Sequence, residues 1–161
     1  MADWQPDILG EGYQQQILDL GDDPDGEGPI VGTLVRREPP TDPTGAVLYV
    51  HGFTDYFFNT ALADFFTERG FAFFALDLRK CGRSRRPGQT AHYVSDLAFY
   101  DEELTRSLAV VRHETGNAPV LLSGHSTGGL VLPLWLDRLN AGPGGSLGAG
   151  ISGLVLNSPW F

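Results

Sequence analysis

The 161-residue chain has one cysteine, and its 11 basic residues, of which Lys80 alone is a lysine, face 20 acidic ones. A single cysteine, Cys81, excludes an intrachain disulfide and leaves no plausible cysteine-based metal site. A formal net charge of −9 argues against nucleic acid or an anionic membrane as the main partner. No apolar run approaches the ~20 residues that a spanning helix needs, so stable membrane insertion is not expected. The opening "MADWQPDILGEGY" lacks the basic and apolar segments of a secretory leader, which makes the cytoplasm the default compartment. There is no internal repeat. The exception to the acidic balance is "RKCGRSRR" at 79–86, either an attractor for an anionic headgroup or an ordinary solvated loop.

What is present is an alternation. "YQQQILDL" (13–20) and "PIVGTLVRR" (29–37) read as two strands joined by the acidic turn "GDDPDGEG", an antiparallel opening. "AVLYVHGF" (46–53), "FAFFALDL" (71–78), "PVLLSG" (119–124) and "ISGLVLNS" (151–158) are continuous apolar runs of the kind buried on both faces of a parallel sheet. Between them, "NTALADFFTERG" reads as a short helix with Leu62, Phe65 and Phe66 on one face. A longer helix carries Leu97, Leu104, Leu108 and Val111, with Ser95 as its N-cap and Asp101, Glu102 and Glu103 on its solvent side. "STGGLVLPLWLDRLN" is a third helix, in which Pro133 costs a hydrogen bond or a kink. "AGPGGSLGAG" is loop. The fold class is α/β, one domain with a mostly parallel sheet.

One junction carries chemistry. Gly124–His125–Ser126–Thr127–Gly128 joins a buried strand to a helix and matches the nucleophile elbow G-x-S-x-G. The serine of such a turn is thrust out at the end of the strand, and the helix behind it offers amides and a dipole to developing negative charge. The competing reading is a glycine-rich packing or phosphate turn. A second part favours the elbow: "YVHGF" at 49–53 ends the neighbouring strand, where Gly52 lets the next amide face the serine. The oxyanion donors are then the amides of Phe53 and Thr127. Asp55, Tyr56 and His125 are candidate substrate-lining residues, and the aromatics of "TDYFF" form either an acyl pocket or core.

"LYVHGFTDYF", "FALDLRKCGRS", "GHSTGG" and "LVLNSPW" together resemble the α/β-hydrolase superfamily, in particular its lysophospholipase and monoacylglycerol-lipase-like branch. The resemblance implies a three-layer fold and a serine ester hydrolase, with Ser126 as nucleophile, a lipid-like ester as substrate, and no metal or cofactor. Lys80 and Cys81 stand where that branch usually has Gly-His.

A serine needs a base, and the base an orienting acid, in the chain order Ser, acid, His for this fold. No histidine follows Ser126, and Asp137 falls far along the helix, ~16 Å away. Of the upstream histidines, His113 lies at the wrong end of its helix, His125 packs on the sheet, His51 belongs to the oxyanion turn, and His92 reads as a solvated loop residue. The expectation is the amino-terminal part of a hydrolase, sheet truncated after about six strands, with lid, acid and base absent. The strand at 151–157 then becomes an apolar edge, expected to pair with a second copy or a complementary segment. The alternative is a non-catalytic hydrolase-like binding module.

Overall fold

The computed structural model describes residues 3–141 and 150–160. Their strands are β1 (Gln5–Pro6), β2 (Tyr13–Asp22), β3 (Pro29–Arg37), β4 (Gly45–Val50), β5 (Phe71–Asp77), β6 (Val120–His125) and β7 (Ile151–Asn157). The helices are α1 (Thr60–Thr67), α2 (Asp101–Glu114) and α3 (Thr127–Ala141). Residues 142–149, expected as loop, lie outside the described part.

All strands join one sheet in the order β1-β2-β3-β5-β4-β6-β7. The pairs from β1 to β5 are antiparallel, and β5, β4, β6 and β7 run parallel. Seven strands replace the expected six, because Gln5 and Pro6 pair with Gln15 and Gln14. Two residues are too short for any hydrophobic alternation to announce them.

The two faces are covered unequally. Ala46, Leu48, Val50 and Leu122 point to the face that meets α2 and α3 through Leu104, Leu108, Val131 and Trp135. Each buried leucine or valine of this set contributes roughly 1.5–3 kcal/mol. Val47, Phe73 and Ala75 point to the other face, where α1 supplies Ala63, Leu62 and Phe66. The three layers follow, and α1 is the only described helix of its layer. Pro133 sits inside α3, which runs through it without interruption.

Two expectations change. A 3-10 turn at Leu97–Tyr100 precedes α2, and its cap is Asp96, which accepts from the Ala98 amide at 2.8 Å; the Ser95 amide donates to Asp25 instead. Glu103 is fully buried rather than solvent-facing. Its register one turn before Ser107 and two before Val111, both buried, places it inward, and Gly32 leaves it room: a Cβ there would lie 3.2 Å from the Glu103 Cβ.

Candidate active site

After β4 the chain passes to β5 on one side, and after β5 it returns to β6 on the other. The carboxyl ends of β4 and β6 therefore flank a point where the connections diverge, the usual ligand crevice of open α/β sheets. Both sequence motifs fall there.

Ser126 follows β6 directly, has φ +50, and leads straight into α3. A left-handed serine is a strained conformation held by its neighbours. Its amide donates to the Asn157 carbonyl at 2.9 Å, tying the turn to β7, and its carbonyl accepts from Gly129 at 2.9 Å. A Cβ on Gly124 would stand 2.7 Å from the Gly128 carbonyl oxygen, across the turn. On Gly128 it would stand 2.3 Å from the Val50 oxygen, so this glycine clears the neighbouring strand rather than the turn itself.

Gly52 presses against the elbow: a Cβ there would lie 3.1 Å from the Ser126 Cβ and 3.3 Å from the His125 ring. The strand β4 stops at Val50, so His51, Gly52 and Phe53 form the turn. His51 is buried and locks it. Leu78 donates its amide to His51 Nε2 at 3.1 Å, which makes that nitrogen the acceptor; Nδ1 then carries the hydrogen and donates to the Gly52 carbonyl at 2.7 Å. Burial holds the His51 pKa below its ordinary value against the pull of Asp77. The C=O and N–H of a trans peptide point opposite ways, so fixing the Gly52 carbonyl fixes the direction of the Phe53 N–H. Among the described residues neither the Phe53 nor the Thr127 amide has a hydrogen-bond acceptor. The geometry offers two free amides beside one serine.

The other candidates scatter around this point. Asp55 accepts from the Tyr56 amide at 2.8 Å, a turn-stabilising bond. Tyr56 and Phe58 rings lie 5.5 Å apart, and both are exposed, as is Phe53. Phe57 is core. Asp77 accepts from the Phe57 amide at 2.7 Å and from the Arg83 guanidinium at 2.8 Å, fastening this loop to the end of β5. A cavity of about 400 Å³ is lined by Tyr49, Asp55, Tyr56, Phe58, His125 and Val155, among others. It lies on the α1 face of the sheet, behind the elbow. Burial and Asp55 push the Tyr49 phenol up to about 12, and His125 Nδ1 is buried there without a partner.

Among the described residues no imidazole hydrogen-bonds to Ser126. His113 is exposed at the end of α2, and Asp137 is exposed on α3. His92 is not simply solvated: its ring meets the Phe53 ring edge-on at 6.0 Å, and its Nδ1 lies 3.3 Å from Cys81 Sγ. No group of three or more His, Cys, Asp or Glu side chains among the described residues could hold a metal ion. No helix there is long and apolar enough to cross a membrane.

The cluster at 79–86 is neither a headgroup site nor a solvated loop in its first half. Arg79 is buried against Glu103, with Nε 3.0 Å and 3.1 Å from its two carboxylate oxygens. Lys80 is buried with Nζ 2.6 Å from Asp23 and 2.9 Å from Glu27. Arg83 grips Asp7 at 2.7 Å and 2.9 Å. Sequence reasoning missed these pairs because they close across long separations. The available signal was the matching excess of acids in "GDDPDGEG".

The strained serine, the adjoining turn at His51–Phe53 and the sheet order define an α/β-hydrolase fold. The sequence model of the serine aminopeptidase (S33) family matches residues 41–161, and the chain belongs to that family. A carboxyl esterase from Bacillus coagulans superposes with a TM-score of 0.66 at 22% identity, over 88% of this chain and 43% of that one. A monoglyceride lipase from Saccharomyces cerevisiae gives 0.67 at 21%, over 99% and 48%. A probable hydrolytic enzyme from Pseudomonas aeruginosa gives 0.63 at 20%, over 95% and 44%. The chain thus spans less than half the length of each. No curated protein matches the sequence.

Proposed function

We propose that this chain is the amino-terminal portion of a single-domain serine ester hydrolase, with Ser126 as nucleophile and the Phe53 and Thr127 amides as oxyanion donors. The observation that supports the reading is the close approach of Gly52 to the Ser126 side chain, with the next amides, of Phe53 and Thr127, lacking an acceptor among the described residues. In the reaction, Ser126 Oγ adds to the ester carbonyl carbon while its proton passes to a base. The carbonyl oxygen becomes an oxyanion facing the two amides, which is worth several kcal/mol per well-aimed donor. The alcohol leaves with the proton, and water repeats the sequence on the acyl-enzyme.

The base and its acid belong to residues that this chain does not hold, which fits its spanning less than half of its structural relatives. Alone it is expected to be nearly silent. The exposed aromatics Phe53, Tyr56 and Phe58 around the turn favour an apolar, lipid-like acyl group. The missing half-site is supplied through β7, whose free edge takes a complementary segment or a second copy.

A second reading, a hydrolase-like module that binds without turnover, is favoured by the lack of an imidazole on Ser126. Fluorophosphonate labelling separates the two. Labelling of a longer form of the protein that Ser126→Ala abolishes supports the hydrolase; silence of that form overturns it.

A further inference from the structure

Lys80, the only lysine, combines two costly features. Its side chain is fully buried, and its φ is +60, a conformation unfavourable for a residue with a Cβ. Desolvation pulls its pKa down, yet Asp23 and Glu27 more than offset this, so the ammonium stays charged. Both acids, with Asp25 at 3.9 Å, come from the loop between β2 and β3.

The same loop grips residues 89–95. Glu27 accepts from the Thr90 amide at 3.0 Å and its hydroxyl at 2.5 Å; Asp25 accepts from the Ser95 amide at 3.0 Å; Gln89 donates to the Pro29 carbonyl at 3.0 Å. Between these points lies His92, also left-handed at φ +60, whose amide donates to the Lys80 carbonyl at 3.0 Å. Its ring stands against Phe53, the residue read above as an oxyanion donor. Thr54, next in the chain, is left-handed as well, at φ +54. Three left-handed residues thus lead to one exposed aromatic: Thr54 adjoins Phe53, His92 touches it, and Lys80 holds the His92 amide. Strain gathered at one place points to function there.

We propose that Lys80 is a positioning residue for the Phe53 amide, acting through His92: the acid-clamped lysine fixes the segment 89–95, and the His92 ring holds Phe53 in place from outside while His51 fixes Gly52 from inside. The inference rests on the reading of Phe53 as an oxyanion donor. A purely structural Lys80 would fasten the hairpin loop to the body and leave Phe53 indifferent.

Backbone ¹⁵N relaxation on this chain distinguishes the two without requiring turnover. In the unaltered chain the Phe53 order parameter is expected near the rigid value of about 0.85. Lys80→Met and His92→Ala each lower it, while the His51 bond to the Gly52 carbonyl keeps it above about 0.6; Thr127 stays unchanged, and the double variant goes no lower than either single one, because both act along one path. If Lys80→Met does not fold, Glu27→Gln takes its place with the same expectation. A Phe53 that stays rigid when Lys80 or Glu27 is altered, or that loosens there but not in His92→Ala, overturns the inference. Silence in the fluorophosphonate experiment overturns the catalytic reading and leaves this result standing.

Discussion

The two edges of the sheet are built on opposite terms. At one edge β1 has two residues, ends in Pro6, and is followed at once by Asp7, which Arg83 grips with two hydrogen bonds. That edge is short and blunted, as protected edges are. At the other, β7 is seven residues of "ISGLVLN" with no charge and no proline, and β6 is its only strand partner among the described residues. Val155, on the α1 face, is 48% exposed. Between β1 and β5 the fold is closed by ion pairs that join distant segments: Arg83 to Asp7, Lys80 to Asp23, and Arg79 to Glu103. Toward β7 it relies on backbone pairing, on the hydrogen bond from the Ser126 amide to the Asn157 carbonyl and on that from the Ser152 hydroxyl to the Val120 carbonyl. One side of the molecule is held by buried ion pairs, and the Ser126 turn sits where that side meets the apolar one.

The contrast can be broken first on the side held by ion pairs. Arg79→Met leaves the fully buried Glu103 without its partner, and burial already pushes that carboxyl upward. A loss of about 3–5 kcal/mol is expected, read as a lower urea midpoint. At the border, Gly128→Ala drives a methyl into the Val50 carbonyl. Overpacking of this kind costs roughly 1–3 kcal/mol, and cross-peaks of β4 and α3 should shift together in an NMR spectrum.

Acid titration sharpens the comparison further. The hydrogen bonds from Thr90 and Lys80 hold Glu27 at about 2, against 4.5 for a free glutamate. A depressed carboxylate stabilises the fold above its unfolded pKa and loses that contribution as pH falls. Stability should therefore decline from about pH 4.5 toward 2, and Glu27→Gln should flatten that slope in chemical denaturation run at several pH values. His51 adds an earlier decline of the same sign: its folded pKa lies below the ordinary 6.5, so stability falls as pH drops below that value.

The smallest expected change in folding stability lies at β7. Val155→Lys places a charge on the open strand and should alter stability by no more than about 0.5 kcal/mol. Its effect should appear in sedimentation instead, with self-associated species shifting to monomer. A wild-type chain that is already a clean monomer at micromolar concentration would count against pairing through β7.

The elements that carry chemistry were legible where the physical constraint is local. Six of the seven strands and all three helices follow from apolar runs and helical spacing, and a G-x-S-x-G flanked by a buried strand and a helix marks its own place. What escaped was decided at a distance. Glu103 reads as a surface acid in its own helix and becomes buried only because Arg79 and Gly32 meet it. The basic run 79–86 reads as solvated because its acids lie tens of residues away. His92 reads as a loop histidine until the fold lays it on Phe53.

The sequence by itself determined the α/β alternation, the antiparallel opening, and a serine turn between glycines, since backbone sterics and hydrophobic period act over a few neighbouring residues. Only the tertiary structure decided that Gly52 touches Ser126, that His51 holds its neighbour's carbonyl, and that the basic loop is sealed by the acidic hairpin. Those arrangements depend on which strand ends become neighbours. That choice belongs to the sheet as a whole, where burial of charge is tolerable only when the opposite charge arrives from elsewhere in the chain.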